Sequence, residues 1–379
     1  MPMKVAIIAN VPIWILPGME RFRHGGHFAT WLESLVPAFE NVCSDLELHW
    51  ITFSKEVDKD DDKEAFGQYF HILRRGSLAV SMVTRYWYEC RAVRKIIRKL
   101  NPDLVHAWGS EDVCGIAASR SGIKNKLFTL QGSLTDYFQK MGGSFLFRTQ
   151  ASYEEGTVKK FKRGTAESPM AAGLLKKLNP SMMIDIVEYG VNQDFHEAQW
   201  NPGDRPVVLF VGGIDERKGI RDLLQVAADP ACRHLEFRLA GDGQLKSELI
   251  SNSSSNVTWL GKCSRAEVVK ELEQAWALSI PTFADTGPTV VKEARVVGLP
   301  VVTTHAAGAA SYIEKSGCGK IVHHSKPDEL KAALLQICEN RETAIEYGSR
   351  GHVEHRRILR SETTAERFRC IYQEMTRVP

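Results

Sequence analysis

Residues 281–304 of this 379-residue chain read PTFADTGPTVVKEARVVGLPVVTT and hold two carboxylates, Asp285 and Glu293, eight positions apart. An apolar run precedes the segment at 277–280, and a second apolar run closes it at 299–303. Short continuous apolar runs of this kind are typical of buried parallel strands. The segment therefore predicts the order strand, loop, short helix and strand.

The short helix inside this segment has recognisable ends. Pro288 suits the first helical position, where its missing N–H would have no partner, and Gly298 suits the C-terminal stop. Lys292 and Arg295 are expected to point away from the core, and Glu293 lies at the edge of the apolar stripe. The stripe consists of Val290, Ala294 and Val297. Carboxylates are seldom buried alone, so Glu293 indicates either a ligand contact or a structural partner such as a neighbouring Arg or amide.

The composition is that of a soluble globular protein, with 43% hydrophobic and 25% charged residues. The net charge of +3 gives no indication of a nucleic-acid partner. The first apolar run is interrupted by Asn10 and Pro12, too early for a signal peptide or a membrane span. The eight cysteines are scattered without a C-x-x-C motif, as expected of free thiols in a reducing cytoplasm. A cytoplasmic location is therefore expected.

Strand and helix patterns alternate along the whole chain, which predicts an α/β fold with parallel sheets. The alternation is interrupted at 199–206, QWNPGDRP, where linker residues accumulate, and then begins again. We expect two Rossmann-like domains, at 1–195 and 205–359, with a ligand cleft between their strand C-termini. A final helix at 360–377 carries an apolar face that could pack back on the first domain.

Two features of the first half suggest ligand contacts, and each has a plainer alternative. Gly25 and Gly26 lie between a strand at 5–9 and a helical pattern, where they would allow a ligand to approach the backbone or simply form a flexible turn. The predicted helix 84–100 mixes aromatic residues with six cations and would suit anionic lipid, an anionic substrate or only solvent. The cations of this helix are Arg85, Arg91, Arg94, Lys95, Arg98 and Lys99.

The acidic run 58–64 lacks the spacing of a calcium loop and is expected to be a solvated loop.

Four segments of the second half together resemble the GT-B glycosyltransferases, and within them the large family 4 of retaining enzymes. They are VLFVGGIDERKGI at 208–220, FRLAGDG at 237–243, VTWLGKCSRAEV at 257–268, and the segment 281–304. Their order and spacing resemble the nucleotide-sugar domain of the family over more than a hundred residues. The first half is similar more loosely, through its glycine loop and through DLVHAW at 103–108.

The resemblance implies roles for the two carboxylates and for the loop at 213–218. By position, Asp285 would reach the donor sugar and Glu293 the ribose of the nucleotide. Lys218 occupies the position of a Lys that contacts the donor diphosphate. Gly213 stands where the family usually has Arg, so one phosphate contact is either missing or made by Arg217 or another cation. The helix start at Pro288, with the amides of Thr289 and Val290, would face an anionic group.

The first half departs from the family at Gln131, which stands where His is common near the donor sugar. Gln can hydrogen-bond a hydroxyl but cannot exchange a proton at neutral pH. Gly25 and Gly26 would approach the donor. His27 and His106 are candidates for acceptor contacts, although a His at a strand end is as often a buried structural residue.

The function implied by the resemblance is transfer of a sugar from a nucleoside diphosphate sugar to an acceptor hydroxyl with retained configuration. The acceptor would be a saccharide or a lipid-linked saccharide, and the protein would work in the cytoplasm or at the inner face of the membrane, with contact through helix 84–100. No metal and no other cofactor is expected, since a metal-binding D-x-D has no convincing counterpart. The alternatives are a GT-B epimerase or phosphorylase, and a GT-B protein that binds a sugar nucleotide without turnover.

Overall fold

The computed structural model describes residues 2–22, 30–110 and 112–377. The chain divides into two compact units, which we call unit 1 and unit 2. Unit 1 comprises Met1–Gly190 and Ser361–Pro379, and unit 2 comprises Val191–Arg360. The C-terminal helix is therefore part of unit 1, and the segment that follows Gly190 is part of unit 2. No helix in the described ranges is both long enough and apolar enough to cross a membrane.

Unit 1 is built on a sheet that has eight strands in its described residues, in the order β3-β4-β2-β1-β5-β6-β7-β8. Every pairing is parallel except that of β3 with β4. The strands are β1 Met3–Ile8, β2 Leu46–Ser54, β3 Asp61–Ala65, β4 Gln68–Arg74, β5 Leu104–Trp108, β6 Lys126–Leu130, β7 Arg163–Ala166 and β8 Met183–Ile186.

Helices cover both faces of this sheet. They are α1 Leu32–Val42, α2 Leu78–Val83, α3 Trp87–Leu100, α4 Val113–Ser119, α5 Leu134–Met141, α6 Phe145–Val158, α7 Pro169–Leu178 and, from the C-terminus, α17 Ser361–Thr376. Alternate residues of a strand point to opposite faces. Val5 and Ile7 of β1 pack with α1 and α17 in one core, whereas Ala6 and Ile8 pack with α3, α4, α6 and α7 in the other.

Unit 2, in which every residue is described, has one parallel sheet in the order β11-β10-β9-β12-β13-β14. Its strands are β9 Val207–Val211, β10 Glu236–Ala240, β11 Val257–Gly261, β12 Ala277–Ile280, β13 Val301–Thr304 and β14 Gly319–Val322. Its helices are α8 Gln193–Glu197, α9 Ile220–Ala228, α10 Lys246–Ile250, α11 Arg265–Gln274, α12 Thr289–Val297, α13 Ala310–Ser316, α14 Pro327–Ile337, α15 Arg341–Ser349 and α16 His352–Ile358. Both units therefore have the Rossmann-like α/β architecture that the sequence predicts.

Several local expectations are wrong. The acidic run 58–64 is not all loop, because Asp61–Ala65 pairs antiparallel with β4 as an edge strand. The predicted helix at 84–100 begins only at Trp87, since Arg85 and Tyr86 have left-handed φ values of 49° and 58°.

The expectation that Lys292 and Arg295 point away from the core is also wrong. Both side chains are buried, because α12 is covered by neighbouring helices on its outer side as well. The Arg295 guanidinium lies 5.0 Å from the centre of the Tyr312 ring. His352 of α16 donates a hydrogen bond from Nε2 to the carbonyl of Val296 at 2.8 Å.

Candidate functional site

The candidate site of unit 2 lies where two neighbouring parallel strands end. β9 pairs with β12, so the loops that follow them leave the sheet at the same edge. The two loops are bonded to each other, since the carbonyl of Arg217 accepts hydrogen bonds from the Phe283 amide at 2.8 Å and the Thr282 hydroxyl at 2.7 Å. The loop after β9 therefore holds a fixed position against the segment that carries Asp285.

Glycine is required at one point of this contact. Gly219 ends the short 3₁₀ turn Glu216–Lys218 with a left-handed φ of +70°. A Cβ atom added there would lie 2.0 Å from the carbonyl oxygen of Pro281. A side chain at this position would separate the two loops and move Lys218, which immediately precedes it.

A buried carboxylate holds two cations at this edge. Asp285 Oδ2 accepts hydrogen bonds from Lys218 Nζ and from Arg217 Nη1, the latter at 3.3 Å. Arg217 Nη1 also donates to the carbonyl of Ala284 at 3.1 Å, and the Gly287 amide donates to Asp285 Oδ1 at 3.2 Å. Burial alone would raise the pKa of Asp285, but Lys218, Arg217 and the Gly287 amide together hold it below its ordinary value. Asp285 is therefore an anion that fixes both cations.

Asp215 orders the same loop from the other side. Its Oδ1 accepts a hydrogen bond from the Lys218 amide at 3.1 Å and caps the turn Glu216–Lys218. Its Oδ2 lies 3.9 Å from Arg217 Nη2. A Cβ atom added to Gly213 would lie 2.9 Å from this oxygen, so the missing side chain at 213 leaves room for the Asp215 carboxylate.

The helix α12 begins four residues after Asp285, and its first turn brings helix-start amides close to that carboxylate in the sequence. Pro288 is its N-cap, one position before the predicted first helical residue, and the Val291 amide bonds to the Pro288 carbonyl at 3.0 Å. Thr289 and Val290 are the first two helical residues, whose amides have no partner inside a helix. Together with the helix dipole, they favour an anion at this end.

Glu293 lies on the same helix in a different electrostatic environment. Its side chain is partly buried, and it forms no hydrogen bond or ion pair with any residue that the structure describes. Burial raises its pKa to about 7, against weaker opposing effects of Lys292 and Arg265. A carboxyl group without a partner in this setting has its acceptor oxygens available for a ligand with hydroxyl groups.

Comparison with known proteins finds relatives of the part of the chain that contains this site. The family model described as "Glycosyl transferases group 1" matches residues 192–352, which contain every feature of the site described above. An uncharacterized glycosyltransferase of Methanocaldococcus jannaschii is 26% identical over 195 residues, which are 50% of this chain and 54% of that protein. The chain spans about half the length of the curated relatives it matches.

Solved structures of other proteins superpose on nearly the whole length of this chain. Sucrose-phosphate synthase from Thermosynechococcus elongatus superposes with a TM-score of 0.80 at 16% identity and covers 98% of this chain and 99% of its own. Anabaena HepE in complex with UDP-glucose has a TM-score of 0.71 at 13% identity, with 98% and 100% of the two chains covered. Residues 192–352 match the glycosyl transferases group 1 family, and the chain is similar to GT-B glycosyltransferases of the family 4 kind. Its two α/β units are those of the GT-B fold.

The remaining predicted residues lie in unit 1 of this GT-B protein. Gln131 directly follows β6 at the carboxyl edge of the sheet and is partly buried. Gly25, Gly26 and His27 lie outside the described residues. The donor contact of Gln131 stays a prediction, since its place after β6 is all that the described residues show.

The predicted acceptor contact of His106 is wrong. The ring is completely buried in β5, with Nδ1 2.8 Å from the Tyr372 hydroxyl and Nε2 2.7 Å from Thr129 Oγ1. Burial lowers its pKa to about 3, so the ring is neutral. Both ring nitrogens are occupied, and His106 anchors α17 of this GT-B chain to the sheet.

Sequence reasoning missed Glu154, which organises the loop that carries Gln131. Glu154 is a buried residue of α6, and its carboxylate accepts hydrogen bonds from the amides of Leu134 and Thr135 at 3.1 and 2.8 Å. The hydroxyls of Ser110 and Ser133 also donate to it, at 2.5 and 3.2 Å. The loops after β5 and β6 are thereby tied together. No local pattern marks Glu154, because its partners are 19 or more residues away.

Proposed function

We propose that this GT-B protein transfers a glycosyl group from a nucleoside diphosphate sugar to an acceptor hydroxyl with retention of the anomeric configuration. The observation that carries the proposal is the pair of cations, Lys218 and Arg217, that Asp285 holds beside the N-terminus of α12. Cations and helix-start amides at one place suit a diphosphate.

The leaving group of this reaction is the nucleoside diphosphate, on which negative charge accumulates as the glycosidic bond breaks. Lys218 and Arg217 stabilise that charge because they are already oriented and partly removed from water. The amides of Thr289 and Val290 contribute two further donors. Asp285 keeps the cations in place and accepts hydrogen bonds from hydroxyls of the donor sugar.

Glu293 is the residue proposed to recognise the ribose. Two vicinal hydroxyls can donate to its two carboxylate oxygens, an interaction that requires the ionised form. Because burial raises the pKa of the free carboxyl group to about 7, donor binding is expected to lower it and to release a proton near neutral pH.

The acceptor proton is proposed to pass to the leaving diphosphate on the same face of the sugar. This step requires no side-chain base, so Gln131 is compatible with activity although it cannot exchange a proton. It requires no metal ion, since the charges on the diphosphate are met by Lys218, Arg217 and amides. We infer a saccharide or lipid-linked acceptor in polysaccharide or glycolipid synthesis, and a cytoplasmic location.

A screen of nucleotide sugars tests the proposal. Thermal shift and donor hydrolysis are measured with UDP, GDP, ADP, TDP and CMP sugars, and one donor class is expected to stabilise the protein and to be hydrolysed. The Anabaena HepE complex with UDP-glucose supports starting with UDP sugars. Flat responses to all of them would overturn the proposal. NMR of the product anomer then tests retention.

A second candidate is a GT-B protein that binds a sugar nucleotide without turnover, and Gly213 and Gln131 favour it because each lacks a group common in the family. Stabilisation by a donor without hydrolysis or transfer would support this candidate. Loss of measured transfer in Lys218→Ala and Glu293→Ala would exclude it. Release of a nucleoside diphosphate would exclude a phosphorylase, which uses phosphate in place of the nucleotide.

A further inference from the structure

The carboxyl end of α12 in unit 2 is held by side chains of another helix. The last four carbonyl groups of an α-helix have no partner inside it. In α12, the Ala294 carbonyl accepts hydrogen bonds from the amides of Gly298 and Leu299, both at 2.9 Å. The next two carbonyls accept hydrogen bonds from histidines of α16, and the Val296 carbonyl lies 2.8 Å from Nε2 of His352.

His355 makes the other of these two bonds. It lies three residues after His352, on the same face of α16, and donates to the carbonyl of Arg295. The ring is buried, and burial lowers its pKa to about 4, so it is neutral and carries a single N–H. Its Nδ1 has no hydrogen-bond partner in the part of the chain that the structure describes. The N–H is therefore on Nε2, where it serves the Arg295 carbonyl.

The end of α15 also fits closely against this end of α12. A Cβ atom added to Gly348 would lie 1.9 Å from the carbonyl oxygen of Gly298. An open cavity of about 330 Å³ lies beside this contact, and Gly298, Gly348 and His352 line it. If the His352 side chain were removed, water from the cavity could bind the Val296 carbonyl. The carbonyl would stay satisfied, but the end of the helix would lose its fixed position.

The amino end of α12 has no comparable anchor. Pro288 is the N-cap and makes no side-chain capping bond. A side chain that capped this end would occupy the amides of Thr289 and Val290, which the proposed reaction needs free for the diphosphate. The nine residues of α12 span only about 13 Å, and a helix of this length moves as one body. A shift of its carboxyl end therefore also displaces Glu293 and the two amides.

We propose that His352 and His355 are positioning residues of the donor site, which fix the place of Glu293 and of the helix-start amides by holding the opposite end of α12. The inference rests on the proposed function, since it takes α12 to be the helix that binds the donor. Both histidines act through the helix, because their hydrogen bonds lie at its far end. Loss of these bonds is expected to weaken nucleotide binding and to admit water to Glu293.

The test compares His352→Ala with His352→Gln in the whole protein. Gln keeps an N–H donor near the place of Nε2, whereas Ala removes it. The ionisation of Glu293 is followed by NMR of carbon-labelled glutamate, and Glu293→Gln assigns the signal. The pKa of Glu293, which burial raises to about 7, is expected to fall toward its ordinary value of 4.5 in His352→Ala and to stay near 7 in His352→Gln. His355→Gln, the conservative change in the core, is expected to behave like His352→Gln.

Affinity for UDP and for GDP, measured by calorimetry, is the second readout. It is expected to fall about three- to tenfold in His352→Ala and to stay within about twofold of the parent protein in His352→Gln. Ile337→Val, which removes one methyl group from the buried core at α14, controls for lost stability and should also stay within about twofold.

Three outcomes would overturn the inference. They are an unchanged titration of Glu293 in His352→Ala, an equal loss of affinity in His352→Ala and His352→Gln, and an equal loss in Ile337→Val. A parent protein that binds neither nucleotide would count against the proposed function instead. The titration of Glu293 would still decide the inference in that case, because it requires no ligand.

Discussion

Asp285 and Glu293 lie eight residues apart on one loop and helix, and the pKa values of their carboxyl groups are displaced in opposite directions. Lys218 and Arg217 keep Asp285 ionised despite its burial. Glu293 has no such partner among the described residues, and burial raises its pKa to about 7. The first carboxylate is satisfied by the protein itself, whereas the second is left for a ligand.

Glu293 is expected to make the stability of the protein depend on pH. Because its pKa rises from 4.5 to about 7 on folding, its contribution is most favourable below pH 4.5 and is lost as the pH rises through 7. Glu293→Gln removes this pH-dependent loss. The difference in unfolding free energy between the variant and the parent protein should therefore be about 1–3 kcal/mol more favourable to the variant at pH 8 than at pH 5. Urea unfolding of both proteins at the two pH values measures the effect. Glu362→Gln, an exposed substitution in α17, serves as control, and a pH-independent difference would contradict the assignment.

Lys218 should matter to both stability and activity. Lys218→Ala leaves the buried Asp285 carboxylate with Arg217 as its remaining cation and is expected to cost about 2–4 kcal/mol of unfolding free energy. Lys218→Ala/Asp285→Asn removes the charge as well and should recover a large part of that loss. Transfer activity should stay lost in both proteins, because the diphosphate has lost its cation. Recovery of activity together with stability would show that Lys218 acts only as a structural partner.

The fold was predictable because each central strand is a continuous apolar run between turn residues, as at 277–280 and 299–303. The edge strand β3 was not predictable from the sequence. Asp61–Ala65 is mostly charged and pairs only with β4, so neither face of the strand carries an apolar pattern. The burial of Lys292 and Arg295 was missed for a related reason. Periodicity identifies the most apolar face of a helix but does not show how many neighbours cover the rest of it.

The candidate site was predictable only where a motif carried it. Lys218 and Asp285 are 67 residues apart, and the pairing of β9 with β12 brings them together. Their ion pair follows from that pairing and from the close approach at Gly219, neither of which is visible in a local pattern. His106 shows the opposite case, because its predicted place at a strand end suited a ligand contact, whereas it is the completely buried middle residue of β5.

His106 is expected to support the fold and not the acceptor. His106→Ala leaves a cavity and removes the partner of Tyr372, which should cost about 2–4 kcal/mol of unfolding free energy. Tyr372→Phe removes only the hydroxyl and should cost about 1 kcal/mol. Below the unfolding transition, KM for the acceptor should be unchanged in both variants. A selective rise of that KM in His106→Ala would reinstate the acceptor role.

Glu154 is expected to fix the loop that carries Gln131. Each carboxylate oxygen of Glu154 accepts a hydrogen bond from one backbone amide. Glu154→Gln places an NH₂ group against one of these donors and should lower the free energy of unfolding by about 2 kcal/mol or more. Faster hydrogen exchange of residues 131–135 should accompany the loss. Glu155→Gln, which changes the exposed neighbouring acid, is the control. Unchanged exchange at 131–135 would show that Glu154 does not hold this loop.

Gly213 offers a gain-of-function test, since the resemblance to the family places an Arg at this position. Its φ is not left-handed, so a side chain is tolerated once the Asp215 carboxylate, 2.9 Å from the new Cβ, rotates aside. Gly213→Arg would add a third cation beside Lys218 and Arg217, and we expect nucleoside diphosphate binding to tighten by roughly three- to tenfold at low salt. The gain should shrink as salt rises, because it is electrostatic. Gly213→Ala reproduces the crowding of Asp215 without the charge, so equal affinities in the Arg and Ala variants, measured by calorimetry, would place the diphosphate away from this loop.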